Sequence, residues 1–267
     1  MTAALVSSPR VAVANASPSV GTRVLAEEVA VALSYDGASH AVMMASPSDL
    51  EDFALGFSLS EGIVTAPGAI TDTEIVERGD LGIEVRMRLA EAAGATLLRR
   101  RRMMAGPVGC GLCGIESLRE ATRPADRVTA PLRLRPGAVS AAMRALEAEQ
   151  VLNRDARALH AAAFWTLADG LVAIREDVGR HNALDKLAGA LARARVDGGT
   201  GVVVLTSRVS VEMVQKAARI GAPVLAAVSA PTALAIRTAD ACGITLVALV
   251  RGDGFEVFSH PTRVVGG

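Results

Sequence analysis

Apolar and polar positions follow two rhythms along this chain, and the change between them divides it. From residue 24 to residue 98 the runs are short and alternating. VLAEEVAVALSYDG and SHAVMMAS predict two strands about a turn at Asp36 and Gly37, and EIVERGDLGIEVRMRL predicts two more about Gly79 and Asp80. Between the pairs, SPSDLEDFALGFSLSEG puts Leu50, Phe53, Ala54 and Phe57 on one helical face. Ser46 is its expected cap, Pro47 fits the first turn, Asp49, Glu51 and Asp52 suit the positive end of the dipole, and Gly62 ends it. These elements predict a small α+β domain.

From residue 136 to 267 the rhythm is different. PGAVSAAMRALEAEQ reads as a helix, HAAAFWTLADGLVAIRED as a hairpin turning at Asp169 and Gly170, and residues 181–195 as a helix with Leu184, Leu187, Ala188 and Leu191 aligned. GVVVLTS, PVLAAVS and ITLVALV are continuous apolar runs separated by helical stretches at Val211–Ile220 and Thr232–Cys242. Runs without alternation mean burial on both faces, so this part predicts a mostly parallel sheet between helices, a three-layer α/β/α domain. Residues 1–23, rich in Ala, Ser, Val and Pro, predict a disordered tail. Residues 99–135 hold an arginine run, a glycine-rich loop and a polar connector, and mark the domain boundary.

Composition narrows the classes. With 51% hydrophobic residues the chain can bury a sizeable core, and with 3% aromatics that core is built from Ala, Val and Leu. Twenty-eight basic residues balance 28 acidic ones, which argues against coating nucleic acid. The N-terminus has no basic start followed by an apolar segment, and the longest uncharged run, between Arg219 and Arg237, is broken by Pro223 and Pro231. Three cysteines make no extracellular disulfide framework, so a soluble protein of the reducing cytoplasm is expected.

Two of those cysteines carry the sharpest chemical signal. In GPVGCGLCGIESL, Cys110 and Cys113 sit two residues apart among Gly106, Gly109, Gly111 and Gly114, on a permissive and exposed type of loop. A helix beginning at IESL would favour a thiolate at Cys113, and the neighbouring Arg99–Arg102 run pushes the same way. A thiolate attacks sulfur or binds metal. Zinc needs about four ligands. The remaining candidates, His40, His160, His181, His260 and Cys242, are scattered, and the His-x-Glu motif of zinc deaminases is missing, so no metal is expected.

The second domain adds two polar clusters at strand-to-helix passages. REDVGRHNALDK brings Arg180, His181 and Asn182, and TSRVSVEMVQK brings Ser207 and Arg208. Such passages are where α/β sheets bind anionic ligands. LVRGDGF places an arginine and two glycines after the last strand, suited to a phosphate or nucleotide edge.

Taken together, EDFALGFSLSEG, GPVGCGLCGIESL, EDVGRHNALDK, SRVSVEMVQKAARIGAPVLAAVSAPTALA and GITLVALVRGDGFEVFSHP resemble the FdhD family of accessory sulfurtransferases required for formate dehydrogenase. The resemblance implies a homodimer whose larger domain has a cytidine-deaminase-like fold. It implies that a cysteine desulfurase hands sulfur to the C-x-x-C loop, with Cys110 the persulfide carrier and Cys113 its partner. The acceptor would be the molybdenum or tungsten bis(guanine dinucleotide) cofactor, cargo destined for formate dehydrogenase. Leu249, Val250, Arg251, Gly252, Asp253 and Gly254 would line the cofactor site, with a guanine-nucleotide pocket in the same domain. The helix-start argument favours Cys113 as the lower-pKa thiol, whereas the resemblance favours Cys110, the better nucleophile at a given thiolate population. One departure stands out: Ala156, Arg157 and Ala158 replace the family's Thr-Gly-Gly before His160, whose role is thereby open. The competing readings are a cofactor-binding chaperone that carries no sulfur, a thiol–disulfide oxidoreductase and a zinc deaminase.

Overall fold

The computed structural model describes residues 2–104 and 126–264, side chains of 98–104 aside. Cys110 and Cys113 lie outside the described residues.

The first element departs from expectation. Residues read as a loose tail pair as an antiparallel ribbon, β1 (Leu5–Ala14) with β2 (Ser17–Ala26), turning through Asn15 and Ala16, both at positive φ. Pro9 and Pro18 disguise it in the sequence. A two-stranded ribbon tolerates them because each strand has a free edge. Its register puts Leu5, Val11, Val13, Val20 and Val24 on one face, and Val20 is 88% exposed.

The small domain follows as β3 (Val29–Tyr35), β4 (Ala38–Ala45), α1 (Leu50–Ser60), β5 (Ile70–Glu77), β6 (Ile83–Leu89) and α2 (Glu91–Met104). Its sheet runs β4-β3-β6-β5, with β3 and β6 parallel in the middle and both outer pairs antiparallel. Phe53, Ala54 and Phe57 of α1 pack over Val31, Leu33, Tyr35, Val85 and Met87. Helix α1 starts at Leu50, behind a left-handed Asp49, so Ser46 does not cap it. The boundary placed at residue 98 falls inside α2, whose backbone continues through the arginine run.

The larger domain holds α3 (Pro136–Ala148), α4 (Val151–Ala156), β7 (His160–Thr166), β8 (Gly170–Asp177), α5 (Arg180–Ala194), β9 (Gly201–Leu205), α6 (Val211–Ile220), β10 (Val224–Ala227), α7 (Ala233–Cys242), β11 (Thr245–Arg251) and β12 (Gly254–Val257). The six-stranded sheet runs β12-β11-β10-β9-β7-β8, with β9, β10 and β11 parallel and β7 antiparallel to β9 and to β8. Leu184, Leu187, Met213, Val214, Ala235 and Ala239, from α5, α6 and α7, cover one sheet face over Phe164, Val203, Leu205 and Leu225. Val139, Ala142, Met143 and Leu146 of α3 cover the other, over Ala163, Val202, Val204 and Ala226. The apolar strand runs are thus buried on both sides, as their lack of alternation requires. No helix among the described residues is long and apolar enough to cross a membrane.

Helix α1 of the small domain crosses α5 of the large one through two glycines. A Cβ on Gly56 would overlap the Asp185 carbonyl oxygen, and one on Gly189 would overlap that of Asp52. Charged pairs lie behind and across the same interface. Lys186 Nζ lies 2.7 Å from Asp177 Oδ2, both side chains 0% exposed. Lys216 Nζ donates to Asp185 at 2.6 and 2.8 Å. Arg175 and Arg193 both reach the buried Asp52, at 2.6 and 3.0 Å.

Candidate functional site

The topology gathers the predicted polar segments along one edge of the six-stranded sheet. β8 runs parallel to β9, so Asp177, Leu205, Ala227 and Arg251 end their strands on the same side, where β7 begins at His160. Helices α5, α6 and α7 start there, directing the positive ends of three dipoles at one margin.

Each predicted residue has a definite place on it. Arg180 opens α5 with its Nε buried and, among the described residues, without a hydrogen-bond partner. His181 follows, its Nε2 3.7 Å from Glu212 Oε2 in the first turn of α6. Asn182 is buried and donates to Met44 O at 2.8 Å and Asp177 Oδ1 at 3.0 Å. Ser207 is buried with its hydroxyl donating to Arg208 O at 3.1 Å, while the Arg208 side chain faces solvent. Leu249 sits at φ 56°, at a β-bulge opposite β12, and its N–H donates to Ser229 O at 3.4 Å. Val250 is buried. Arg251, Gly252, Asp253 and Gly254 form the exposed β11–β12 turn, with Asp253 accepting from Arg144 Nη1 at 3.0 Å. Arg180, His181 and His160 therefore form one group. Ser207 and Arg208 sit beside it, and the β11–β12 turn lies two strands further along.

Sequence reasoning missed Ser229, although the serine ends its apolar run at the same point as Thr206 ends the run of β9. Glu212, in the first turn of α6, takes a hydrogen bond from Ser210 Oγ at 2.9 Å and faces His181. Arg157 adopts a left-handed backbone, φ 56°, a conformation that costs an arginine more than it would a glycine. One cavity of 220 Å³, lined by Leu59, Val64, Ala188, Leu191 and Ile220, lies at the far end of α5.

The two histidines at this margin are shifted toward their neutral forms. Burial pushes the His160 imidazole below its usual 6.5; Arg180 acts in the same direction and Asp177 opposes both. Burial likewise lowers His181, with Glu212 opposing and Arg180 and Lys216 reinforcing. Cys242, in the last turn of α7, is buried, and burial raises its thiol pKa, so it is not an activated sulfur. Among the described residues no cluster of three His, Cys, Asp or Glu could hold a metal.

These shifts have a consequence for stability. Both folded-state values lie below the unfolded one, so unfolding takes up protons at acid pH. Their contribution is complete above pH ~6.5 and is lost as pH falls from there toward the folded values. The H160Q/H181Q double variant should lose less stability than the parent between about pH 7.5 and about pH 5.5 in urea unfolding. Equal losses would mean that neither imidazole is desolvated.

Comparison with known proteins matches the same architecture. The model of the FdhD/NarQ family fits residues 26–265. A protein named sulfur carrier protein FdhD from Agrobacterium fabrum is 54% identical over 257 residues, 96% of this chain and 94% of that one. Its namesake in Cupriavidus necator is 54% identical over 90% of this chain and 83% of that protein. A crystal structure from Desulfotalea psychrophila, assigned as a formate dehydrogenase accessory protein, superposes with a TM-score of 0.78 at 23% identity, covering 98% of this chain and 99% of that one.

Proposed function

The chain belongs to the FdhD/NarQ family, and on that basis we propose that it is a sulfur carrier serving formate dehydrogenase. The observation that carries this reading is the 54% identity to a sulfur carrier protein over 96% of the chain. Cys110 is the carrying thiol. Its thiolate attacks the terminal sulfur of a persulfide on a cysteine desulfurase; the S–S bond there breaks, the desulfurase cysteine leaves as thiolate, and Cys110 holds the new persulfide. No net redox change occurs, and Cys113 assists release to the acceptor. This transfer is the sense in which the protein is a sulfurtransferase. The protein works in the cytoplasm, as a homodimer.

The acceptor is the molybdenum or tungsten bis(guanine dinucleotide) cofactor, handled as cargo. The sheet edge suits its pyrophosphates: three helix starts, the orphaned Nε of Arg180, and the exposed Arg208 and Arg251 all offer donors or positive charge. The β11–β12 turn, Leu249 to Gly254, and the Arg180–Asn182 and Ser207–Arg208 segments bind it, and a free guanine nucleotide can occupy the same edge. The larger domain, a sheet with helices on both faces, is of the cytidine-deaminase-like kind.

Mass spectrometry after incubation with a cysteine desulfurase and cysteine, without reductant, tests the carrier role. The expected result is one extra sulfur on the peptide holding Cys110 and Cys113, removed by dithiothreitol and absent in Cys110→Ala. A protein that stays unmodified yet binds guanine nucleotide would instead be a cofactor chaperone.

A further inference from the structure

Ser46 lies in the small domain, four residues before α1, and caps no helix. It is 0% exposed, and its polar atoms are engaged by residues of the other domain. Its N–H donates to Asp177 Oδ2 at 3.0 Å, its hydroxyl accepts from Val178 N–H at 3.2 Å, and its carbonyl accepts from Lys186 Nζ at 2.9 Å. The residues it meets flank the turn from β8 into α5. Asp177 Oδ1 holds the same turn from the other side, accepting from Gly179 N–H at 2.7 Å and Asn182 Nδ2 at 3.0 Å. Gly179 is the cap of α5, and a Cβ there would come within 2.8 Å of Asn182 Nδ2, so a side chain at this position would press on the amide that holds Asp177. Arg180 and His181 follow directly.

From this geometry we propose that Ser46 is a positioning residue for the ligand edge. Resting on the reading of that edge as an anion site, the inference gives the small domain a part in a site whose charged side chains all belong to the other domain. The serine hydroxyl fixes the Val178 peptide, and that peptide sets the direction of the first turn of α5 and of Arg180. Without the hydroxyl, the Val178 N–H is left buried without its acceptor. The turn then shifts toward any arrangement that hydrates it, and the amides and guanidinium no longer converge.

The test is GDP binding to the full-length protein by calorimetry, with unfolding measured in parallel. Ser46→Ala should bind GDP roughly tenfold more weakly than the parent. Ser46→Thr, which keeps the hydroxyl, should recover most of the affinity. Ser58→Ala is the stability control: Ser58 is buried in the same domain, donates to Ala54 O at 2.6 Å and lies in α1, away from the edge. It should lower stability and leave GDP affinity unchanged. Parental affinity in Ser46→Ala, or equal weakening in Ser58→Ala, overturns the positioning role while leaving the anion site standing. A parent protein that takes up no GDP removes the edge reading and this role with it.

Discussion

Replacing Lys186 with methionine should lower the unfolding free energy by about 3–5 kcal/mol, because it leaves Asp177 as a buried charge without its partner. Neither side chain has any exposure, and the ammonium also serves the Ser46 carbonyl. Water cannot replace it without entering the junction between the domains. Methionine fills most of the volume, so the change reads the charge and not a cavity. Total stability is about 5–15 kcal/mol for typical domains, so the loss would be a large share. Urea midpoints measure it; the drop should come with an unchanged slope if unfolding stays two-state. A loss under about 1 kcal/mol would be the size expected of an exposed pair, and would mean that Asp177 is hydrated or shares a proton when Lys186 is gone.

Gly56→Ala has the opposite sign from the usual rule. In the middle of a helix, alanine in place of glycine ordinarily stabilises by about 0.5–1 kcal/mol. Here the added methyl would overlap the Asp185 carbonyl, a backbone atom of a packed helix that cannot swing aside. α1 and α5 must separate, which loosens the ion pairs of Asp52 with Arg175 and Arg193 together with the apolar contacts. The expected cost is about 3 kcal/mol or more, at the upper end of overpacking. Gly189→Ala should behave alike, since its methyl meets the Asp52 carbonyl. The double variant should cost less than the sum, because the first methyl already parts the helices for the second. Thermal or urea unfolding of the three variants gives the answer. A stabilised Gly56→Ala would show that the helices stand further apart than described here.

Much of this was legible in the chain. Continuous apolar runs such as GVVVL announced a sheet covered on both faces, and the Asp36–Gly37 and Asp169–Gly170 turns fell between the strands they were assigned to. Helix α5 begins at Arg180, one residue from the expected start. The strand-end rule also brought Arg180, His181, Ser207, Arg208 and the β11–β12 turn to one edge. Illegible elements lacked periodic signal. α4 spans six residues, too few to show a helical face, and β12 spans four. The β1–β2 ribbon has left-handed Ala16 in its turn, where a glycine would have been the expected mark. Local sequence also cannot tell a polar residue that meets a ligand from one that meets another domain. Ser46 reads as a helix cap, and nothing near Asn182 announces that its amide also reaches the small domain. Their partners there and across the junction, Met44 and Asp177, lie more than 130 residues away in sequence.

The ribbon has a further consequence. None of the three core clusters draws a residue from β1 or β2, and the family match begins at residue 26, where β2 ends. A two-stranded sheet with no core beneath it opens and closes without disturbing the rest of the molecule. Amide hydrogens along Leu5–Ala26 would therefore exchange with solvent by local opening, while those of β9 and β10 await global unfolding. Mechanically the ribbon is an arm with no core of its own, held to the body along α4.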